Sequence, residues 1–452
     1  MSVQRAFEAL KAKQKAYNTY WAYYDGDHPL VYSTARLREV FKGLDARFVE
    51  NWCSVVINVP VERLLLESIT VANDATATEA LRSLWTGLDM HLDADDAHLA
   101  ALVCGEAFVM VWPDEAGAVQ AYYNDPRKCH VFYDEDNPRA KSLGAKWWTA
   151  GDGTHRMTLY YRDRLEYYGT SKANEQPTSY KAFVKIAEDE VNPYGVIPIF
   201  HLRPERRAII SELDNAIPLQ AAINKLLADE MISAEFGAFR QRYVISNADV
   251  GNLKNAPNEV WDLPAGDGMG QQTSAGEFSA TELGNFETAI ERRIAALSAI
   301  TRIPPHYFFR LGGQPPSGEA LIALESPLLK KVDRYIKRFT STWQAIAAFM
   351  LALDGRQVAR QDIEPQYADP ATVQPRTEAE VRQTNTNAGV PIVTTVRRQG
   401  WSEAEIEEMR QDRIEEQADA QESLAQALIE QQRRFDQGVG ESANQALTEQ
   451  EE

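Results

Sequence analysis

Cysteine is scarce in this chain: Cys53, Cys104 and Cys129 stand far apart, with no CxxC pair. An odd, sparse set predicts reduced thiols and a cytoplasmic folding environment, not a disulfide framework. Structural zinc needs a tighter cluster of ligands. No uninterrupted run of about 18 apolar residues occurs, so no membrane span is expected. Residues 1–15 carry Arg5, Lys11, Lys13 and Lys15 without an apolar stretch, which argues against a secretory leader. No G-x-x-x-x-G-K-[ST] motif occurs, which excludes a P-loop ATPase. Gly266-Asp267-Gly268-Met269-Gly270 lacks the following lysine and reads as a flexible loop, not a phosphate cradle.

Positive charge is also in short supply. The 452 residues hold 47 Lys and Arg against 66 Asp and Glu, a net of −19. Residues 402–452 hold 15 acids and 4 bases, a net of −11, which leaves −8 for the rest. A protein that grips nucleic acid needs a basic footprint, because phosphate neutralisation supplies most of the affinity. Any contact with DNA is therefore expected to tolerate or repel it. What is present, 44% hydrophobic and 25% charged residues, is the balance of a folded chain. The length implies two to four substructures.

Residues 1–43 read as helical and aromatic-rich, with Tyr17, Tyr20, Trp21, Tyr23 and Tyr24 packing an N-terminal helix onto the body. Residues 44–72 have near-helical apolar spacing broken by Pro60, which predicts two helical pieces meeting there. Leu81, Leu84, Trp85, Leu88 and Leu92 predict one amphipathic helix over 76–100. From Gly105 the period changes to two. Strands are expected at 107–112, 119–123, 130–133, 145–149, 157–161, 164–168 and 180–184, an antiparallel meander closed by a proline-bracketed edge strand over 192–199.

Helices then dominate. Pro218 suits a first helical position, and Leu219, Ile223, Leu227 and Met231 open a stripe that continues to Tyr243, about 40 Å of helix. Residues 245–279 lose the helical period and are rich in glycine and proline. Leu283, Phe286, Ile290, Ile294, Leu297 and Ile300 mark a returning helix of about 36 Å, ended by Pro304-Pro305. The simplest geometry is an antiparallel pair carrying the excursion at its far end. Glu282, Glu287, Glu291, Arg292 and Arg293 lie off the apolar stripe of the second helix. Ser317 is a candidate N-cap for a third long helix that Pro327 kinks and Gly355 stops. A short strand is expected over 358–363. A helix start at Thr377, a turn over 387–391, a helix over 393–398, a Ser402/Glu405 capping box and a frayed, acidic tail over 417–452 follow.

The search for reacting groups finds little. His91 and His98 bracket Asp93, Asp95 and Asp96 on one helix face, where an acidic solvated surface outweighs a metal site. Asp134-Glu135-Asp136-Asn137 resembles part of a calcium loop but lacks its glycine and terminal glutamate, so it reads as a surface turn. Arg203-Pro204-Glu205-Arg206-Arg207 is the strongest basic cluster of the body, either a solvated, acid-paired loop or a DNA contact. No metal, cofactor or catalytic set is predicted.

Several stretches, in this order, resemble the portal proteins of tailed bacteriophages, especially long-tailed phages of actinobacteria. They are Asn51-Trp52-Cys53 with Val55-Val56 and Glu62-Arg63-Leu64; Gly105 through Trp112; Ile197-Pro198-Ile199-Phe200 with Ser211-Glu212-Leu213 and Pro218-Leu219-Gln220; and Thr301-Arg302-Ile303-Pro304-Pro305-His306 with Ser317-Gly318-Glu319-Ala320-Leu321. The resemblance spans roughly residues 15–410. It implies an α+β portal fold: a wing (1–210), a first stem helix (211–244), a clip (245–279), a second stem helix (280–305), a channel loop (306–317), a long kinked helix (318–355), a crown (356–416) and an acidic tail (417–452).

By the same resemblance, Leu311, Gly312, Gly313, Gln314, Pro315 and Pro316 belong to the loop that narrows the channel. Glu282, Glu287, Glu291, Arg292 and Arg293 form the charged stem face. Asn258, Glu259, Trp261, Asp262 and Asp267 belong to the clip, which faces the large terminase and later the head-tail adaptor. Such chains form a ring, usually of twelve subunits, at one capsid vertex, alongside major capsid and scaffolding proteins, and are assembled in the host cytoplasm. They are not enzymes, use no cofactor and involve no membrane. Double-stranded DNA passes non-specifically through the axis. The acidic balance fits a conduit, since tight basic contacts would stall a sliding polyanion. Alternatives are another ring-forming connector, which lacks two matched long helices around a clip, and a phage nuclease, which needs clustered acids not found here.

Overall fold

A computed structural model describes residues 2–28, 49–238, 242–245, 261, 274–277, 282–308, 317–371, 382–398, 401 and 406–415. It divides into Met1–Pro370 and Ala371–Glu452. The first unit mixes helices with strands, and every strand pair among the described residues is antiparallel.

Helix α1 (Ser2–Tyr24) presents two apolar faces in succession. Ala6, Phe7 and Leu10 pack with Phe132, Trp147, Met157 and Phe183 of the larger sheet. Tyr17 and Tyr23 enter the main core. The tyrosines do pack this helix onto the body, as their spacing implies. Helix α2 (Trp52–Val61) is capped by Asn51, whose side chain accepts from the Ser54 amide. Pro60 sits in its last turn and does not divide it; the expected second helical piece is instead strand β1 (Leu66–Val71). The β-branched Ile69, Thr70 and Val71 suit an extended chain.

The single helix expected over 76–100 is two, α3 (Ala75–Gly87) and α4 (Met90–Cys104). Asp89 between them takes a left-handed conformation at φ 51°, and the direction change leaves Leu92 59% exposed, outside the predicted stripe. Helix α4 ends at Gly105, φ +82°, where a Cβ would lie 2.7 Å from the Ile210 backbone. Only glycine accommodates both that φ and that approach.

The strands follow period two closely but belong to two sheets, not one meander. β2 (Ala107–Pro113) and β3 (Val119–Asn124) join β10 (Ile199–Leu202) in the order β10-β2-β3. β4 (Cys129–Tyr133), β5 (Lys141–Thr149), β6 (His155–Tyr160), β7 (Arg164–Thr170) and β8 (Phe183–Lys185) form the second, with β9 (Glu190–Val191) also on β7. The expected edge strand over 192–199 begins only at Ile199, after Pro198, which lacks an amide donor. Phe108, Val131, Tyr160 and Ile199 fill the space between the sheets.

One buried ionic group joins these parts. Glu106, fully buried, accepts from Lys13 Nζ and from the Tyr17 hydroxyl, each at 2.7 Å, and His201 Nε2 lies 2.9 Å away. Lys13 also donates to the Cys129 carbonyl at 2.6 Å. Burial alone would raise the Glu106 carboxyl, but Lys13 and His201 outweigh it and hold it well below the usual carboxylate range. The three cysteines are buried free thiols.

Helix α5 (Ala216–Ala238) leads to β11 (Arg242–Ile245), which pairs with β12 (Ser274–Glu277) before α6 (Gly284–Thr301). The expected helix through Tyr243 therefore stops short. Arg-Tyr-Val-Ile is a strand-forming run with a ladder partner in Ser274–Glu277, and Gly237 weakens the helix end. Helix α7 (Gly318–Leu353) starts at Ser317, which accepts from the Ala320 amide, and stops at Gly355 with φ +83°. The expected strand over 358–363 is displaced to β13 (Ile363–Tyr367), on β1.

In the second unit, residues 382–387 are helical, Gly389 turns the chain at φ +83° and Ile392–Arg398 is helical. Residues 406–415 are helical too. The Thr377 helix start, the Ser402 capping box and the tail over 417–452 lie outside the described residues. Among the described residues no helix is long and apolar enough to cross a membrane.

Candidate functional site: the root of the projecting helices and of the loop

Helices α5 and α6 measure about 34 and about 27 Å at 1.5 Å per residue. Antiparallel pairing of β11 with β12 brings their far ends together, which makes them an outgoing and a returning helix. Their roots are packed: Ala216, Gln220 and Ile223 are buried on α5, and Ile290, Ile294, Leu297 and Thr301 on α6. Met231, further out, is 47% exposed. Ile300, expected on the buried face, is 50% exposed, because Ser298 and Thr301 take the inward positions.

Glu282, Glu287, Glu291, Arg292 and Arg293 are all exposed. None of their side chains bonds another described residue. Residues 309–316, with Leu311, Gly312, Gly313, Gln314, Pro315 and Pro316, lie outside the described residues. So do Asn258, Glu259, Asp262 and Asp267. Trp261 is described, with the Arg242 guanidinium 5.7 Å from its ring.

Residues 306–308 and helix α7 are tied to one place. The Tyr307 hydroxyl accepts from Arg63 Nη2 at 2.6 Å and donates to Glu325 Oε1 at 2.9 Å. Glu325, two turns into α7, also receives Arg63 at 3.4 Å and has His306 Nε2 3.6 Å away. Both Arg63 and Glu325 side chains are nearly buried, at 13% and 8% exposure. Phe308 packs on Trp52 with ring centres 5.8 Å apart. Arg63 thus joins the segment before the loop to the helix after it.

A second tie lies nearly two turns further along α7. Lys331, 7% exposed, pairs with Glu212 at 2.5 Å and donates to the Thr301 carbonyl at 2.9 Å. A cation at the end of α6 answers the carbonyls left without helical partners. The next residue, Arg302, is left-handed at φ 60°. A third tie is Gln220, whose carboxamide donates to the Glu50 carbonyl at 2.5 Å and accepts from the Trp52 amide at 2.9 Å.

These ties involve Trp52, Arg63, Glu212, Gln220, Thr301 and His306, all in the short stretches that resemble the portal family. Segments as far apart as Arg63 and Glu325 meet at one root. Sequence reasoning quoted Arg63 and Glu212 only as motif letters and missed Tyr307, Glu325 and Lys331. No local pattern marks a pairing across 244 or 262 residues.

The other weighed candidates resolve differently. His98 is neither a ligand nor on a solvated face. It is fully buried, stacks on Phe339 at 5.1 Å and accepts from the Trp343 indole at 3.0 Å, and burial lowers it to about 3. Asp134 holds a surface turn by accepting from the Asp136 and Asn137 amides. In the basic cluster, Arg203 lies over the Tyr133 ring and Glu205 pairs with Arg338 at 3.2 Å.

A chain built this way holds a pair of helices on a packed root. The phage portal protein family described as SPP1 Gp6-like matches residues 6–423, and the chain belongs to that family. Similar curated relatives are the portal protein of Mycobacterium phage L5, 24% identical over 379 residues, and that of Mycobacterium phage D29, 24% over 386. Each comparison covers 77% of this chain and 75% of the relative. A solved chain from the virion of a native gene transfer agent particle is 14% identical, with a TM-score of 0.44, over 79% of this chain and 90% of that one.

Proposed function

We propose that this chain is the repeating subunit of a portal ring of twelve copies at one capsid vertex, through which double-stranded DNA enters and leaves the head. The observation that carries the reading is the convergence of the family's separate motifs on one root. Trp52 and Arg63 hold Phe308 and Tyr307, which precede Gly312-Gly313-Gln314-Pro315-Pro316 in the chain, and Arg63, Glu212 and Thr301 hold α7, which follows it. In this reading residues 1–210 are the wing, α5 and α6 the stem, 245–279 the clip, 306–317 the channel loop and 356–416 the crown.

The exposed charged face of α6 meets other copies or DNA. The clip, through Asn258, Glu259, Trp261, Asp262 and Asp267, meets first the large terminase and then the head-tail adaptor. Major capsid and scaffolding proteins surround the ring, which assembles in the host cytoplasm. The chain carries out no catalysis; ATP hydrolysis belongs to the terminase. A net charge of −19 per copy, multiplied around a ring, disfavours stalling of a polyanion. Deleting residues 312–314 tests the loop assignment. Assembled rings and heads with little packaged DNA are expected; normally filled heads would contradict it.

A further inference from the structure

Against the acidic balance of the chain, one cleft on the first unit is lined without any carboxylate. It lies between α1 and the larger sheet, has a volume of about 470 Å³, and is walled by Gln14, Asn18, Lys128, Trp148, His155 and Gln176 among others. Its wall carries two cations, Arg127 and Lys128, with carboxamides that can both donate and accept. Arg127, also in the wall, is already answered by Asp125 at 2.5 Å. Lys128 is exposed, and its ammonium bonds no described residue.

His155 is the decisive group. It is 4% exposed, and its Nδ1 takes the Trp147 indole proton at 3.3 Å, with the Thr149 hydroxyl also 3.3 Å away. An indole N–H only donates, so Nδ1 accepts and the neutral ring carries its proton on Nε2. That Nε2–H has no partner among the described residues and belongs to a wall of the cleft. A second, more open hollow shares Gln14 and Asn18 and continues along α1 past Lys15 and Lys11, with Asp27 at its far side. The two form one strip along the helix.

We propose that this strip is a docking site for an acidic polypeptide segment of a partner protein. A Glu or Asp carboxylate accepts from Lys128 and His155 Nε2, while the carboxamides of Gln14, Asn18 and Gln176 meet peptide groups and Trp148 offers an apolar wall. A cleft of this volume admits the side chains of an extended segment. Its donors are part of the folded scaffold, so little ordering opposes binding.

The test is fluorescence anisotropy of the full chain with a fluorescein-labelled octaglutamate peptide at low salt. Saturable binding is expected, weakened at least tenfold by K128E and severalfold by Q176A. K337E, the same charge change on the exposed Lys337 of α7, is expected to leave it unchanged. Equal loss in K337E would reduce the effect to net charge and overturn the proposal. So would unaltered binding in K128E and Q176A, or no saturable binding. Displacement by inorganic phosphate at equal concentration would mark a free-anion site, and displacement by duplex DNA a nucleic-acid surface; either result overturns it.

Discussion

At the scale of single residues, buried polar groups hold this chain together, and each has a titration or a deletion that exposes its role. His98 is neutral in the fold, lowered by burial to about 3, against about 6.5 for an unfolded histidine. The unfolded state therefore gains a proton below pH 6.5 that the native state refuses, and stability falls as pH drops from about 6.5 toward 3. H98F keeps the stack on Phe339 but strands the Trp343 indole. It is expected to cost about 1–3 kcal/mol at pH 7.5 and to flatten the fall below pH 6.5, as read by urea denaturation at both pH values.

Glu106 has the same sign over a lower pH window. Its carboxyl is held low, so its contribution is present above the ordinary carboxylate range and is lost as pH falls through the depressed folded value. Removing one partner of a buried pair strands the other charge, so E106L and K13M should each cost about 3–5 kcal/mol. The K13M/E106L double variant is expected to be less destabilised than the sum of the two, in the same denaturation assay. None of this network was legible in the sequence. Glu106 stood there as one letter of a strand motif, and its partners Lys13 and His201 are distant in the chain. Pairing of that kind is a property of the tertiary fold alone.

At the scale of elements, the readable features were those with a period or a punctuating residue. Alternation located β2 and β3 to within a residue, and Ser317 and Gly355 marked both ends of α7. Alternation says nothing of which strands share a ladder, so the division into two sheets stayed hidden. Likewise the apolar stripe over 76–100 could not announce the left-handed Asp89 that breaks it. The Gly105 corner is where α4, β2 and the Ile210 segment meet. G105A forces a Cβ against backbone at a positive φ and should lose more than about 1 kcal/mol, seen as a lower melting temperature.

The loop root is an element-scale device too. R63M should leave the body folded while removing the tie of Tyr307 and Glu325 to the end of α2. Trypsin cleavage after Arg302 is then expected to accelerate severalfold, since opening of residues 302–308 becomes local. An unchanged rate would mean that Arg63 does not hold that segment.

At the scale of the whole molecule, family membership and the motif root point the same way. The charges on α6 are exposed and bond no described residue, and the proposed ring would place them against further copies or DNA. Electron microscopy of the purified full-length chain addresses that claim directly. Closed rings of identical subunits with an axial opening, close to twelve per ring, are the predicted result; a population of monomers, or compact particles with no axial opening, would contradict it.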